Sequence, residues 1–168
     1  WVRTTSRAGG LIVGFGPPQA VAQGIAGYDR QLFFTAGGQL AFGTNPGGSL
    51  TITSPGTYND GRWHLVHATI AVGSTNLYVD GVLVATGAGG ASGTSNAWHV
   101  GCGTLHTGFA GVPGSGYLAA DIDEVAIYTN QLSAADVAAR QAAVPSRTPY
   151  LEAVQASVPW AWWRLGQG

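Results

Sequence analysis

The sequence predicts an all-β protein, a sandwich or a barrel, with one short helix near its C-terminal end. Three observations predict it. Runs of about five to seven residues rich in Val, Ile, Leu, Phe, Tyr and Thr recur along the chain, as strands do. Glycine, 27 of 168 residues, falls mostly between those runs, where turns need it. Only one segment carries the composition and boundary residues of a helix.

The first run is GLIVGFG, residues 10–16. RQLFFTAGGQLAFGT, residues 30–44, reads as two strands about the Gly37-Gly38 turn. SLTITS (49–54) is a short strand, and GRWHLVHATIAVG (61–73) is a longer one that holds Trp63 as a core residue. NLYVDGVLVATG (76–87) is the clearest hairpin, because Asp80-Gly81 suits a two-residue turn between alternating strands. AWHVGCG (97–103) and DIDEVAIYT (121–129) complete the series. The helix is LSAADVAARQAA (132–143). Ser133 is its N-cap, Asp136 three residues on makes a variant capping box, and alanine favours the helical state. Its apolar face is small (Leu132, Ala135, Val137, Ala139), which places it across an end of the sandwich. The two prolines of VPSRTPY (144–150) mark a linker.

Composition bounds the function. A chain of 168 residues suits one domain. Charged residues are 9% of it, lysine is absent and the net charge is −1, so no basic surface exists to neutralise nucleic-acid phosphates. No run approaches the ~18 apolar residues of a membrane span, and no leader is recognisable; a leader for export is expected outside this sequence. Methionine is absent even at position 1, so the chain is expected to be a fragment or a processed product. Cys102 is the one cysteine, which forbids an internal disulfide; in VGCGT it reads as a small buried hydrophobe.

The order of three segments is specific: DGRWHLVHATI, then NLYVDGVLVAT, then IDEVAIYTNQLSAADVAARQAA. In this order residues 1–144 resemble the laminin-G-like, concanavalin A-like jelly-roll superfamily, most closely its bacterial and phage tandem form. The resemblance implies a two-sheet antiparallel jelly-roll sandwich. Such domains open on a segment of the form Y…V…P.AYWRLGE. Here that pattern is missing at the start and stands at the end, as Tyr150, Val154, Pro159 and AWWRLGQG. Trp160, Trp162 and Trp163 are a large apolar load for a chain end. The expected organisation is a domain over 1–144, a linker over 145–149, and a Trp-rich strand over 150–168. That strand completes this domain, a neighbour, or the next repeat, pairing near IDEVAIY. It would carry Trp163 and Leu165 on one face and Trp162 and Arg164 on the other.

The candidate chemistry is sparse. In DIDE, Asp121 and Asp123 share a strand face and Glu124 takes the other. Related glycoside hydrolases place Glu-x-Asp-x-x-Glu on a strand to supply an acid and a second carboxylate. Here position 121 is Asp and position 126 is Ala, so the pair is missing and no catalytic residue is assigned; Asp123 is expected to be structural. His64, His67, His99 and His106 lack the spacing of a zinc site, and no Gly-x-Ser-x-Gly elbow occurs. The resemblance implies a calcium ion at the rim of the sandwich, with Asp29, Asn59, Asp60 and Asp121 as candidate ligands, although Asn59-Asp60-Gly61 is also a good turn in its own right. Sugar binding needs flat apolar rings and a few hydrogen-bonding groups. Tyr58, Trp98, His106, Phe109 and Tyr117 lie in or beside loops, three of them along GTLHTGFAGVPGSGY (103–117); as caps on the core they would be equally at home.

The expected function is a non-enzymatic binding module for cell-surface glycan or polysaccharide, in an extracellular or phage-borne multidomain protein. The alternative is a structural or assembly module of a virion or surface filament, joined to neighbouring copies or domains through residues 150–168. Nucleic acid and membrane are not expected partners. The expected location is extracellular, on a cell surface or in a virion.

Overall fold

The computed structural model describes residues 1–17, 27–91, 96–143 and 147–164, with the side chains of 147–149 excepted. Within these, the strands are β1 (Val2–Arg3), β2 (Gly10–Gly16), β3 (Asp29–Phe34), β4 (Gln39–Thr44), β5 (Leu50–Thr57), β6 (Val66–Ala71), β7 (Ser74–Val79), β8 (Val82–Gly87), β9 (Ala97–Val100), β10 (Asp121–Ile122) and β11 (Val125–Ile127). Helices α1 (Ala134–Ala143) and α2 (Arg147–Ala156) follow, then β12 (Ala161–Trp163).

One antiparallel sheet runs β5-β4-β3-β2-β9; a second runs β6-β7-β8; β1-β10 and β11-β12 are further pairs. A bridge between Val2 and His64, with hydrogen bonds of 3.0 and 2.9 Å, ties β1 to the chain just before β6 and so extends the second layer to β10. Side chains alternate as strand geometry requires. Leu32, Phe34, Leu40 and Phe42 point inward with Ile12 to meet Leu77, Val79 and Val2. Leu11, Phe33 and Ala41 point outward, yet they are buried too, beneath Leu105 and Phe109 from the long connection between β9 and β10. That second cover explains why QLFF and QLAF read as nearly unbroken apolar runs rather than alternating ones.

The close approach of that cover is set by Gly43. A Cβ there would run into the ring of Phe109. Gly43→Ala is therefore expected to displace the ring and cost about 1–3 kcal/mol as an overpacking change, read as a lower midpoint in urea at constant m-value.

Local chemistry follows the sequence closely in two places. Asp80 and Gly81 both have positive φ, 51° and 81°, the conformation of a type I′ turn, and Val79 pairs with Val82 across it. At α1, Ser133 Oγ accepts from the Asp136 N–H at 3.1 Å while Asp136 Oδ2 accepts from the Ser133 N–H at 2.8 Å, a reciprocal capping box.

Elsewhere the structure corrects the reading. Residues 147–156 form α2, where a linker and the start of a strand were expected; residues 144–146 lie outside the described residues. Pro149 does not prevent this helix, because it sits in the first turn, where backbone N–H groups have no intrahelical partner. Tyr150 and Val154, four apart, face Leu65 and form a small third core with it. Trp63 is not core: it precedes β6 and is 40% exposed, with the Arg3 guanidinium 5.0 Å from its ring centroid. Cys102 is exposed rather than buried. The DIDE segment is not one continuous strand, because Glu124 takes φ 52° between β10 and β11.

Candidate functional site

A cleft of about 520 Å³ is lined by Thr5, Arg7, Ala36, Gly37, Thr57 and Asn59. Three segments distant in sequence build it: residues 4–8, the β3–β4 turn, and the end of β5 with the residues after it. Residues 4–8 are held by successive hydroxyl turns, in which Thr4 Oγ1 accepts from the Ser6 N–H (2.9 Å) and Ser6 Oγ accepts from the Ala8 N–H (3.2 Å). Thr4 Oγ1 also donates to the Ala119 carbonyl at 2.6 Å. Gly9, at φ 72°, lets this segment return onto the sheet; a Cβ there would fall 2.5 Å from the Phe34 carbonyl.

The segments are cross-tied. Asn59 Nδ2 donates to the Ser6 carbonyl (3.1 Å), Gly61 N to the Thr4 carbonyl (3.0 Å), and Tyr58 N to the Gly38 carbonyl (2.8 Å). The cleft wall is thus fixed by hydrogen bonds between its three parts, while Thr5, Arg7, Ala36 and Gly37 stay exposed. The lining offers two hydroxyls, an amide and a guanidinium, and no carboxylate.

The acids nearby are occupied. Asp60 Oδ1 accepts from the Arg62 N–H (2.9 Å) and meets His64 Nε2 (3.1 Å), and its Oδ2 lies 2.8 Å from Arg62 Nε. These contacts, the Arg62 backbone bond foremost, hold its carboxyl below the usual range. His64 Nδ1 lies 2.8 Å from Asp80 Oδ2. Tyr58 stands edge-on to His64 at 5.2 Å, and its burial, with Asp80 nearby, raises its phenol.

The five aromatic candidates are not brought together. Tyr58 backs the cleft region and joins the edge of the main core. Trp98, on β9, packs against Phe15 at 5.1 Å, with the Arg30 guanidinium 4.3 Å from the Phe15 ring and 5.9 Å from the indole. His106 and Phe109 stack at 4.7 Å and are only 3% and 4% exposed, so neither presents a ring to solvent; they are the cover of the sheet. Tyr117 is 78% exposed and stands apart. The signal for this was in the sheet: an outer face of Leu11, Phe33 and Ala41 demanded a lid.

The four candidate calcium ligands are likewise dispersed. Asp29 is fully buried, with Oδ1 accepting from the Arg30 N–H (2.9 Å) and the Asn45 N–H (2.7 Å). Asp121 Oδ2 pairs with Arg3 Nε and its terminal nitrogen at 2.9 and 2.7 Å. Asn59 ties down Ser6, and Asp60 holds Arg62 and His64. Calcium takes six to eight oxygens about one point. Among the described residues no three His, Cys, Asp or Glu side chains converge in that way, so these four do not fit the ion.

At the C-terminal end, β12 pairs antiparallel with β11, setting Trp163 opposite Val125, Trp162 opposite Ala126, and Ala161 opposite Ile127. Glu124, which sequence reasoning left without a role, binds both tail side chains on one face: Oε2 accepts from Trp162 Nε1 at 2.6 Å and Oε1 from Arg164 Nε at 3.0 Å. Leu165 lies outside the described residues. Asp123 accepts from the Glu124 N–H through Oδ1 (2.8 Å) and shapes that turn. Behind this joint, Arg140 is buried at 2% exposure. It donates to the Asp136 carbonyl (2.7 Å), the Ala153 carbonyl (3.3 Å) and Ser157 Oγ, with the Tyr128 ring centroid 5.3 Å away. Its charge therefore meets the negative end of α2.

Comparison with known proteins agrees with this architecture. A family model described as concanavalin A-like lectin/glucanases superfamily, Laminin_G_3, matches residues 1–138. No curated protein matches the chain. Among solved structures, an S-layer domain-containing protein of Clostridium thermocellum ATCC 27405 is similar at 21% identity and a TM-score of 0.41. The match covers 84% of this chain and 66% of that one, so the chain spans just under two thirds of its length.

Proposed function

Because the chain belongs to the concanavalin A-like lectin/glucanase superfamily, we propose that it is a non-enzymatic carbohydrate-binding module of an extracellular, cell-surface or virion protein. The observation that carries this reading is the cleft of Thr5, Arg7, Thr57 and Asn59. Its volume lies in the range of small-ligand sites. Its hydroxyl, amide and guanidinium groups suit sugar hydroxyls, and its wall is pre-organised, so little ordering cost falls on binding. No carboxylate lines it to protonate a glycosidic oxygen or attack an anomeric carbon. The carboxylates of the DIDE segment that sequence analysis weighed for catalysis are engaged in structural bonds: Asp121 with Arg3, Asp123 with the Glu124 N–H, Glu124 with Trp162 and Arg164. No helix among the described residues is long and apolar enough to cross a membrane.

The test is retention on a glycan array and on immobilised polysaccharides, with Gly37→Trp as the blocking variant. A Cβ at Gly37 meets nothing closer than 3.6 Å and the residue is exposed on the cleft lining, so a large side chain can be started there toward the cleft. The expected result is binding by the parent, at least tenfold loss in the variant, and an unchanged melting temperature. Retention on no glycan, or a variant that binds as well as the parent, rejects this reading.

A second reading, a structural or assembly module, rests on the tail. Trp160 is 65% exposed and Trp163 38%, beside the short β12 edge. Large exposed indoles at a strand edge suit an interface with a neighbouring domain.

A further inference from the structure

We infer that the ligand of this cleft is an acidic polysaccharide, whose carboxylate or sulfate group is received by Arg7; this rests on the carbohydrate-binding reading. The chain has seven arginines, no lysine and eight acids. Arg3, Arg30, Arg62 and Arg164 each pair with a carboxylate, on Asp121, Asp29, Asp60 and Glu124 respectively. Arg140 is buried against carbonyl oxygens, and the side chain of Arg147 lies outside the described residues. Arg7 alone among the described arginines is exposed with no carboxylate, carbonyl or ring partner, and it lines this cleft.

A protein this sparing with charge neutralises nearly every cation it displays. The exception stands where a ligand would lie, on a wall that carries no negative side chain. Asp60, next in sequence to the lining residue Asn59, is engaged by Arg62 and His64. The turn bonds that fix residues 4–8 hold the Arg7 backbone at the rim of the cleft, so its side chain starts from a fixed point. A planar guanidinium with five N–H donors suits a two-oxygen anion such as a uronate or a sulfate ester. Thr5, Thr57 and Asn59 are left for ring hydroxyls.

The experiment compares polymers matched in backbone and differing in charge: polygalacturonate against its methyl ester, and dextran sulfate against dextran, by isothermal titration in low salt. The uronate and sulfate arms tell which oxyanion is preferred. The expected result is that at least one charged polymer binds tenfold or more tighter than its neutral partner, and that the difference shrinks as salt rises toward 0.5 M. Arg7→Gln should lose that difference, and Arg7→Lys should restore part of it. Because Arg7 is exposed and makes no hydrogen bond, ion pair or ring contact, both variants should keep the parent melting temperature. Equal binding of charged and neutral polymers, or an unaffected Arg7→Gln, overturns this inference and leaves the carbohydrate reading standing. Binding to none of the four, nor to any other glycan, removes both.

Discussion

A chain ending at residue 146, without α2 and β12, is expected to melt roughly 10–20 °C below the full chain. The tail contributes in three ways. Tyr150 and Val154 are 8% and 2% exposed and close the small core over Leu65, so their removal uncovers that residue as well as themselves. Burial of side chains this size is worth about 1.5–3 kcal/mol each. Trp162 packs on the same cluster and donates to Glu124, which is left partly buried without Trp162 or Arg164. Arg140 loses the Ala153 carbonyl and Ser157 while remaining a buried cation. Together these losses come to roughly 5 kcal/mol or more, and a chain of this size shifts by about 2–4 °C per kcal/mol. Circular dichroism melts of the two chains decide it, and sedimentation of both shows whether the tail also joins copies. A truncated chain that melts within a few degrees of the parent would mean that the tail is an appendage, not the closing piece of this sandwich.

This expectation also shows what could be read in advance. The hairpin at Asp80-Gly81 was legible because one dipeptide dictates one turn, and the tail strand in part, because three tryptophans in four residues are a large apolar load, although only Trp162 joins a core cluster and Trp160 stays 65% exposed. The helix before the tail was not legible: Pro149 reads as a breaker unless its place in the first turn is known, and that depends on where the chain docks. The loop aromatics misled for a related reason. Phe109 and His106 look free for a ligand when only their glycine-rich neighbours are considered. They become a lid once the outer face of Phe33 and Ala41 is seen to need one. The cleft was least legible of all. Thr5, Gly37 and Thr57 carry no motif, and what unites them is a set of backbone and side-chain hydrogen bonds between segments about thirty and fifty residues apart. Of the residues lining it, Asn59 alone was singled out in the sequence, and as a calcium ligand.

Acid is expected to destabilise the protein well before its carboxylates titrate, and His67 is the reason. His67 sits on β6 on the face opposite Val66, Ala68 and Ile70, which pack on the main core, and lines a small cavity with Tyr128, Arg140, Tyr150 and Glu124. Its Nδ1 is buried without a hydrogen-bond partner. Burial, reinforced by the positive charge of Arg140, pushes its imidazole down to about 3 from an ordinary 6.5. The folded protein therefore keeps His67 neutral over a range in which the unfolded chain protonates it. Below pH 6.5 the unfolded state binds the extra proton, so stability falls as pH falls, by about 1.4 kcal/mol per unit, until the folded value near 3 is reached. Asp60 and Asp136, whose carboxyls are held low by hydrogen bonds from Arg62 and Ser133, act in the same direction, but only below about pH 4, where unfolded carboxylates begin to protonate. The window from pH 6.5 to 4.5 is thus dominated by His67, the buried Trp1 amine, lowered to about 6 from 8.0, adding a slope of the same sign only near its upper end. Urea titrations across it should show the parent losing about 2–3 kcal/mol, while His67→Leu, which removes the titrating ring and its orphaned nitrogen together, should lose much less. If the variant falls as steeply as the parent, the slope belongs to another group, and His67 is not held neutral in the way its burial beside Arg140 requires.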